Sequence, residues 1–262
     1  MTPTVTSNGA KIPAIGFGTW ELRGAPAVRA IEAALDAGYR HIDTAVMYGN
    51  ETQVGEAIRS HGTPRDDIFI TIKVWPAEAG DGPFQRSAEA SLKRLGIEQV
   101  DLLLIHWPSP SVPMKEQIFT LCDAKRRGFT RHIGISNFSV EMVEQAVKFS
   151  TEPLVTNQIE HHPWIDQSAV FKACAKHGIS ITSYSPIGKA RRLDDPVIVD
   201  MAGAKRKTPA PVVLRWQIQL PMNIAIPRSS KPDRIVENIG IFDFSLTPEE
   251  MQRISALARR KG

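Results

Sequence analysis

Cysteine is scarce in this chain: Cys122 and Cys174 are the only two, and neither has a C-x-x-C or other metal-type spacing. Both read as reduced apolar residues, so neither a disulfide framework nor a cysteine metal site is indicated. No run approaches the roughly 18 apolar residues of a membrane span. The opening stretch Met1-Thr-Pro-Thr-Val-Thr-Ser-Asn-Gly lacks a basic segment followed by an apolar core. A secretory signal is therefore not indicated, and a cytoplasmic protein is expected. Charge of one sign never accumulates, since 32 basic residues are spread among 28 acidic ones, leaving +4. Without a block of about five or six like charges there is no footprint for nucleic acid. The small positive excess suits an anionic cofactor. No linker, low-complexity tract or composition shift divides the chain. With 42% hydrophobic and 23% charged residues, it reads as one soluble domain over residues 1–262.

Eight short apolar runs stand out, at residues 14–17, 39–42, 68–72, 101–105, 132–135, 154–159, 179–182 and 223–226. Few of them alternate polar with apolar as a one-sided antiparallel strand would. Helical spacing fills the gaps, as in Val28, Ile31, Leu35 and in Phe84, Ala88, Leu92, Leu95. Gly38, Gly62, Gly96, Gly128 and Gly178 each follow such a stretch as stop signals. Thr208-Pro209 and Thr247-Pro248 read as N-caps followed by proline, with Glu250 completing a capping box. Strand–helix alternation leaves a closed barrel or a doubly wound open sheet. Gly16-Phe17-Gly18 is followed by Thr19, Trp20 and Glu21, so the third glycine of a dinucleotide fingerprint is missing. Residues 4–6 and 11–13, joined through Ser7-Asn8-Gly9, look like a hairpin ahead of the first strand. The expectation is an α/β protein, a single (β/α)8 TIM barrel with an N-terminal β-hairpin and extra C-terminal helices. The last of these should run over residues 248–260.

Polar residues gather at the ends of these runs. Asp43 follows the second, with Tyr48 five residues on. Lys73 ends the third, His106 the fourth, Ser136-Asn137 the fifth, Gln158 the sixth, Tyr184 the seventh and Arg228 the eighth. In a barrel these ends share one mouth, where catalytic groups collect. Lys73 is the most telling, because an apolar strand leaves its charge little solvent and demands a partner. Asp43, Tyr48, Lys73 and His106 would form a proton-donating set. A free tyrosine, with a pKa of about 10, is a poor acid near neutrality. An adjacent ammonium lowers that value, and a carboxylate keeps the ammonium charged. Tyr48 could then protonate a carbonyl oxygen while His106 orients it. No side chain supplies hydride, so a reduced nicotinamide bound at the mouth is implied.

Taken singly, each residue has a plainer reading. Asp43 could cap a loop, Tyr48 sit on a rim, His106 be a satisfied core histidine, and Ser136-Asn137 be a helix N-cap. Gln158 could tie down the mouth, Tyr184 pack, and Arg228 and Arg234 be solvated charges. Their arrangement at successive strand ends favours the functional reading. Adjacent His161 and His162 point to opposite faces of a strand and lack a complete ligand set, so no metal is expected. A barrel hydrolase or isomerase should show paired carboxylates or metal histidines at the strand ends, and none are present. A cofactor-binding barrel with a regulatory rather than catalytic role should show an eroded set, whereas all four members are here.

The blocks Gly18-Thr19-Trp20, His41-Ile-Asp43-Thr-Ala-x-x-Tyr48-Gly-Asn-Glu51, Lys73-Val-Trp75 and Asp101-Leu-Leu-Leu-Ile-His106-Trp-Pro108 occur in order. Gly134-Ile-Ser-Asn-Phe138, Asn157-Gln158-x-Glu160-x-His162-Pro163 and Tyr184-Ser-Pro186 follow. In these blocks the chain resembles the aldo-keto reductases over essentially its full length, and is most similar to short bacterial members such as the diketogluconate reductases. The resemblance implies NADPH-dependent reduction of small aldehydes, dicarbonyls or keto-sugars, with Asp43, Tyr48, Lys73 and His106 as the catalytic tetrad and Tyr48 as proton donor. It implies that Ser136, Asn137 and Gln158 bind the nicotinamide carboxamide and that Tyr184 stacks on its ring. Ser185 and Gly188 would lie in the loop beside the pyrophosphate. Arg228, Ser229 and Arg234 would hold the 2′-phosphate, with Glu237 and Asn238 facing the adenine. Trp20, Trp75 and Trp107 would wall the substrate pocket, core packing being the alternative for each.

Two departures from the family pattern stand out: Arg228 replaces a common lysine, and the stretch Lys189-Ala190-Arg191-Arg192 is unusually basic. NADH is accordingly an expected but weaker cofactor. The connection after His106 is short and the chain ends soon after its last helix. By comparison with the family this implies an open, permissive mouth and a monomer whose partner is a small carbonyl compound.

Overall fold

Strands covered on both faces read as continuous apolar runs, and each of the eight runs overlaps or adjoins a strand. The computed structural model describes residues 2–259. A hairpin of β1 (Thr4–Ser7) and β2 (Ala10–Pro13) comes first, turned by Asn8 and Gly9, both with positive φ. The barrel repeats then run β3 (Phe17–Gly18), α1 (Gly24–Asp36), β4 (His41–Asp43), α2 (Glu51–His61), β5 (Phe69–Val74) and α3 (Pro83–Leu95). They continue with β6 (Val100–Ile105), α4 (Met114–Arg126), β7 (Thr130–Ser136), α5 (Val140–Phe149), β8 (Leu154–Glu160) and α6 (Ser168–Lys176). The last part holds β9 (Ser180–Tyr184), α7 (Pro196–Lys205), α8 (Pro209–Gln219), β10 (Asn223–Ala225), α9 (Pro232–Ile239) and α10 (Pro248–Ser255).

From β3 to β10 each strand pairs in parallel with the next. The ring closes through main-chain bonds between its first and last segments. Gly16 N–H donates to Ala225 C=O at 2.8 Å, Ala225 N–H to Ala14 C=O at 3.0 Å, and Gly18 N–H to Pro227 C=O at 2.9 Å. This is the expected (β/α)8 barrel. The first run is regular only over Phe17–Gly18, because its upstream residues serve as this seam. The hairpin packs Ala10 and Ile12 against Leu102, Leu104, Val155 and Ile224 at the lower end of the barrel. Ser7 Oγ donates to the carbonyls of Val155 (2.6 Å) and Gly178 (2.8 Å), fastening it there.

Gly62 and Gly96 end α2 and α3 in the left-handed conformation that their stop signals require. Thr247 and Glu250 form the expected capping box of α10. This helix ends at Ser255 and continues as a 3-10 turn through Arg259; Arg260 lies outside the described residues. Of the helices beyond the eight repeats, α10 follows the barrel and α7 is inserted between β9 and β10. The α7 insertion is started by Asp195, whose side chain accepts from Val197 N–H. Together α7, α8 and α10 enclose a second core around Met201, Val213, Trp216 and Ile254. The cap of α5 is Ser139, not Ser136-Asn137.

Two buried imidazoles bind the scaffold. His41 is hydrogen-bonded to Thr71 Oγ1 at 3.0 Å inside the barrel. His161 lies 3.0 Å from Gln217 Oε1, and Gln217 Nε2 donates to His161 C=O at 2.6 Å, joining β8 to α8. Burial pushes both pKa values down to about 4, against the opposing pull of Asp43 on His41 and of Gln217 on His161. Between about pH 6.5 and 4 the unfolded chain therefore binds protons that the folded chain refuses. Stability should fall as pH drops through that window, by up to about 1.4 kcal/mol per unit for each imidazole. Urea unfolding at pH 7 and pH 5 checks this, and equal stability at the two values would contradict it.

Close approach of strands also rests on Gly134, where an added Cβ would lie 2.7 Å from Thr156 C=O and 2.8 Å from Leu104 Cδ2. Gly134→Ala should cost about 1–3 kcal/mol by overpacking, read as a lower urea midpoint.

Candidate active site

Because side chains alternate along a strand, His41 and Asp43 of β4 share a face, as do Thr71 and Lys73 of β5. That face is the barrel interior, and its upper members meet at the mouth. Lys73 is fully buried, and Nζ donates to Asp43 Oδ1 at 2.5 Å, to Thr44 C=O at 3.1 Å and to Tyr48 OH at 3.1 Å. An ammonium has three protons, and all three have acceptors. The second carboxylate oxygen, Asp43 Oδ2, accepts from Gln158 Nε2 at 2.8 Å. Tyr48 reaches this group from a 3-10 turn, Val46–Tyr48, between β4 and α2.

Burial alone would pull the lysine pKa down, but Asp43 and then Tyr48 outweigh it and hold the value above the ordinary one. For Tyr48, burial raises the pKa and Lys73 is the strongest opposing influence, with a net rise. The sequence-based expectation that the ammonium lowers the phenol pKa therefore holds only for the direction of its own contribution. His106 has its pKa pushed down to about 3, by burial first and by Lys73 second. It is a neutral imidazole whose Nδ1 is buried without a hydrogen-bond partner among the described residues. Its ring stands edge-on to Tyr48 (5.7 Å between centroids) and to Trp75 (5.3 Å).

The residues expected to bind nicotinamide form one network with this cluster. Asn137, with φ at 63°, donates through Nδ2 to His106 C=O at 3.0 Å and to Ser136 Oγ at 3.1 Å. Its Oδ1 accepts from Tyr184 OH at 3.0 Å, and Ser136 Oγ donates to Gln158 C=O at 2.8 Å. Trp20 and Trp107 are exposed and Trp75 half-buried. Lys189 Nζ lies 5.2 Å from the centre of the Trp20 ring, so the basic stretch reaches this rim. Ser185 has φ at 47°, and Gly188 lies against the Trp164 ring.

Beyond β10, Arg228 Nε donates to Trp20 C=O at 3.0 Å. Ser229 Oγ accepts from Lys231 N–H at 3.0 Å where α9 begins, and Arg234 is exposed in the first turn. Glu237 accepts a hydrogen bond from Thr208, and Asn238 is buried.

Three supporting residues escaped the sequence reading. Thr44 supplies a carbonyl to Lys73. Buried Asn50 accepts from Thr44 Oγ1 at 2.8 Å and donates to the carbonyls of Thr19 (2.8 Å) and Leu22 (3.0 Å). Gln217, besides its bond to His161, donates to Pro186 C=O at 3.3 Å and so steadies the loop after β9. Asn50 lies within one of the quoted blocks, but nothing in its spacing announces its burial; Gln217 gives no signal beyond a polar position on a helix.

A buried ammonium held by a carboxylate, with a protonated phenol on it and a neutral imidazole alongside, can deliver one proton to an oxygen at the mouth. The sequence pattern of the aldo/keto reductase family matches residues 14–259. An aldo-keto reductase of Mycobacterium avium is 40% identical over 257 residues, 97% of this chain and 90% of that protein. A solved structure named provisionally as a 2,5-diketo-D-gluconic acid reductase B superposes with a TM-score of 0.96. It is 44% identical, covering 98% of this chain and 92% of its own. The aldo-keto reductase of Bombyx mori, solved in complex with NADP, has a TM-score of 0.92 at 33% identity, covering 100% of this chain and 94% of its own. The fold, the mouth and these likenesses agree: the chain belongs to the aldo-keto reductase family of oxidoreductases.

Proposed function

We propose that this protein reduces small aldehydes, dicarbonyls or keto-sugars to alcohols, with NADPH as its preferred cofactor and Tyr48 as the proton donor. The observation that carries the reading is the Tyr48 hydroxyl 3.1 Å from a lysine ammonium that is itself fixed on Asp43. As negative charge grows on a carbonyl oxygen at the mouth, Tyr48 gives up its proton and Lys73 stabilises the phenolate left behind. Neutral His106 donates a hydrogen bond to the same oxygen. Bound NADPH supplies the hydride that the chain lacks.

The chain's residues fit that cofactor. Ser136, Asn137 and Gln158 offer amide and hydroxyl partners for a carboxamide, and Tyr184 offers a ring beside them. Ser185 and Gly188 would lie beside its pyrophosphate. Ser229 and Arg234 lie at the N-terminal end of α9, where free backbone N–H groups and the helix dipole favour a phosphate, and Arg228 precedes the helix N-cap Lys231 by three residues. Glu237 and Asn238 lie one to two turns further along for the adenine. The NADP complex of the Bombyx mori relative supports the same cofactor. Trp20, Trp75 and Trp107 make aromatic walls that suit small, partly apolar carbonyl compounds. The reading takes residues 1–262 as one domain and the protein as a cytoplasmic monomer.

Purified protein should oxidise NADPH, and NADH more weakly, against a panel of glyoxals, benzaldehydes and keto-sugars followed by absorbance. Binding of NADPH without consumption of any carbonyl would point instead to a regulatory, cofactor-binding barrel. Tyr48→Phe should lower kcat by about 10²- to 10⁴-fold while the NADPH Kd from fluorescence quenching stays within about twofold. A variant turning over at the wild-type rate would remove Tyr48 from the mechanism.

A further inference from the structure

The loop between β3 and α1 holds an anion against one of the cations proposed for the cofactor. Leu22 N–H donates to Thr19 C=O at 3.1 Å and closes a turn over residues 19–22. Buried Asn50 donates to the carbonyls of Thr19 and Leu22, at the two ends of the turn, and supports it from beneath. Glu21 occupies its third position with φ at 63°, a conformation that residues other than glycine hold only when their surroundings impose it. From there Glu21 Oε2 lies 3.7 Å from Arg228 Nη2, while Arg228 Nε is bonded to Trp20 C=O at 3.0 Å. The guanidinium is thus tied to the turn by a main-chain bond as well as by charge. Its edge faces a carboxylate, the same kind of partner that a phosphate would be.

We propose that Glu21 is a cofactor-specificity residue, an internal anion that competes with the 2′-phosphate of NADPH for Arg228. The inference rests on the reading that Arg228 holds that phosphate. A phosphate arriving at Arg228 must either displace Glu21 or share one cation with a second anion, and both outcomes cost affinity. NADH has no 2′-phosphate, so the cost falls on NADPH alone. Glu21 therefore narrows the gap between the two cofactors. Both side chains are partly exposed, which keeps the effect modest and sensitive to salt.

The test measures Kd for NADPH and for NADH by nicotinamide fluorescence on the full chain, for wild type, Glu21→Gln, Arg228→Met and the double variant. Glu21→Gln should bind NADPH about twofold to fivefold more tightly, the scale of one exposed ion pair, with NADH affinity unchanged. Unchanged NADH binding also certifies that the variant is folded. The gain should vanish at about 1 M salt and in the Arg228→Met background. No gain, or an equal gain for both cofactors, overturns the role of Glu21. If Arg228→Met leaves the ratio of the two affinities at its wild-type value, the phosphate reading of Arg228 fails first. If that ratio falls while Glu21→Gln changes nothing, only the competition is lost.

Discussion

The ion pair between Lys73 and Asp43 is the constraint around which the mouth is built. Taking an ammonium and a carboxylate out of water costs several kcal/mol per ion, and attraction between them offsets this only when every remaining donor and acceptor is satisfied. Here the requirement reaches four separate segments. Lys73 on β5 needs Asp43 from β4, the carbonyl of Thr44 just beyond it, and Tyr48 from the following turn. Asp43 needs Gln158 from β8 on the far side of the ring. The same bonds that make the charge tolerable hold the phenol in place, so scaffold and chemistry draw on one set of contacts.

Burial decides the proton affinities of the groups around that pair. It keeps His106 neutral and makes Tyr48 a weaker acid than in water, with the ammonium opposing the rise. A low-dielectric setting also strengthens each interaction between Lys73 and charge that develops near it. The outer part of the mouth is different. Arg228 and Glu21 are partly exposed, and solvent and salt temper what they do.

Much of this was legible in the sequence because parallel strands covered on both faces leave unbroken apolar runs, and because helix ends demand glycine or capping residues. The mouth was legible because polar residues break those runs at their ends. What escaped has physical causes. The seam between Gly16 and Ala225 is a main-chain contact between distant segments, and no side-chain period encodes it. Helix α7 was overlooked although Asp195-Pro196 carries the same cap-and-proline signal as Thr208-Pro209. Ser136-Asn137 resembled an N-cap, but Ser139 is the residue that bonds the free N–H of α5. The bond from Gln158 to Asp43 and the sign of the net shift on Tyr48 depend on burial and on contacts across the ring, which a linear pattern does not contain.

The hairpin fastened through Ser7 closes the lower end of the barrel, which leaves the upper mouth as the common doorway for every ligand of the interior. Two molecules that share one doorway cannot exchange independently once one lies over the other. Under the proposed reading the deeper of cofactor and carbonyl compound would have to arrive first and leave last, so the sealed floor of the barrel would impose a sequence on binding and release as well as a shape on the site.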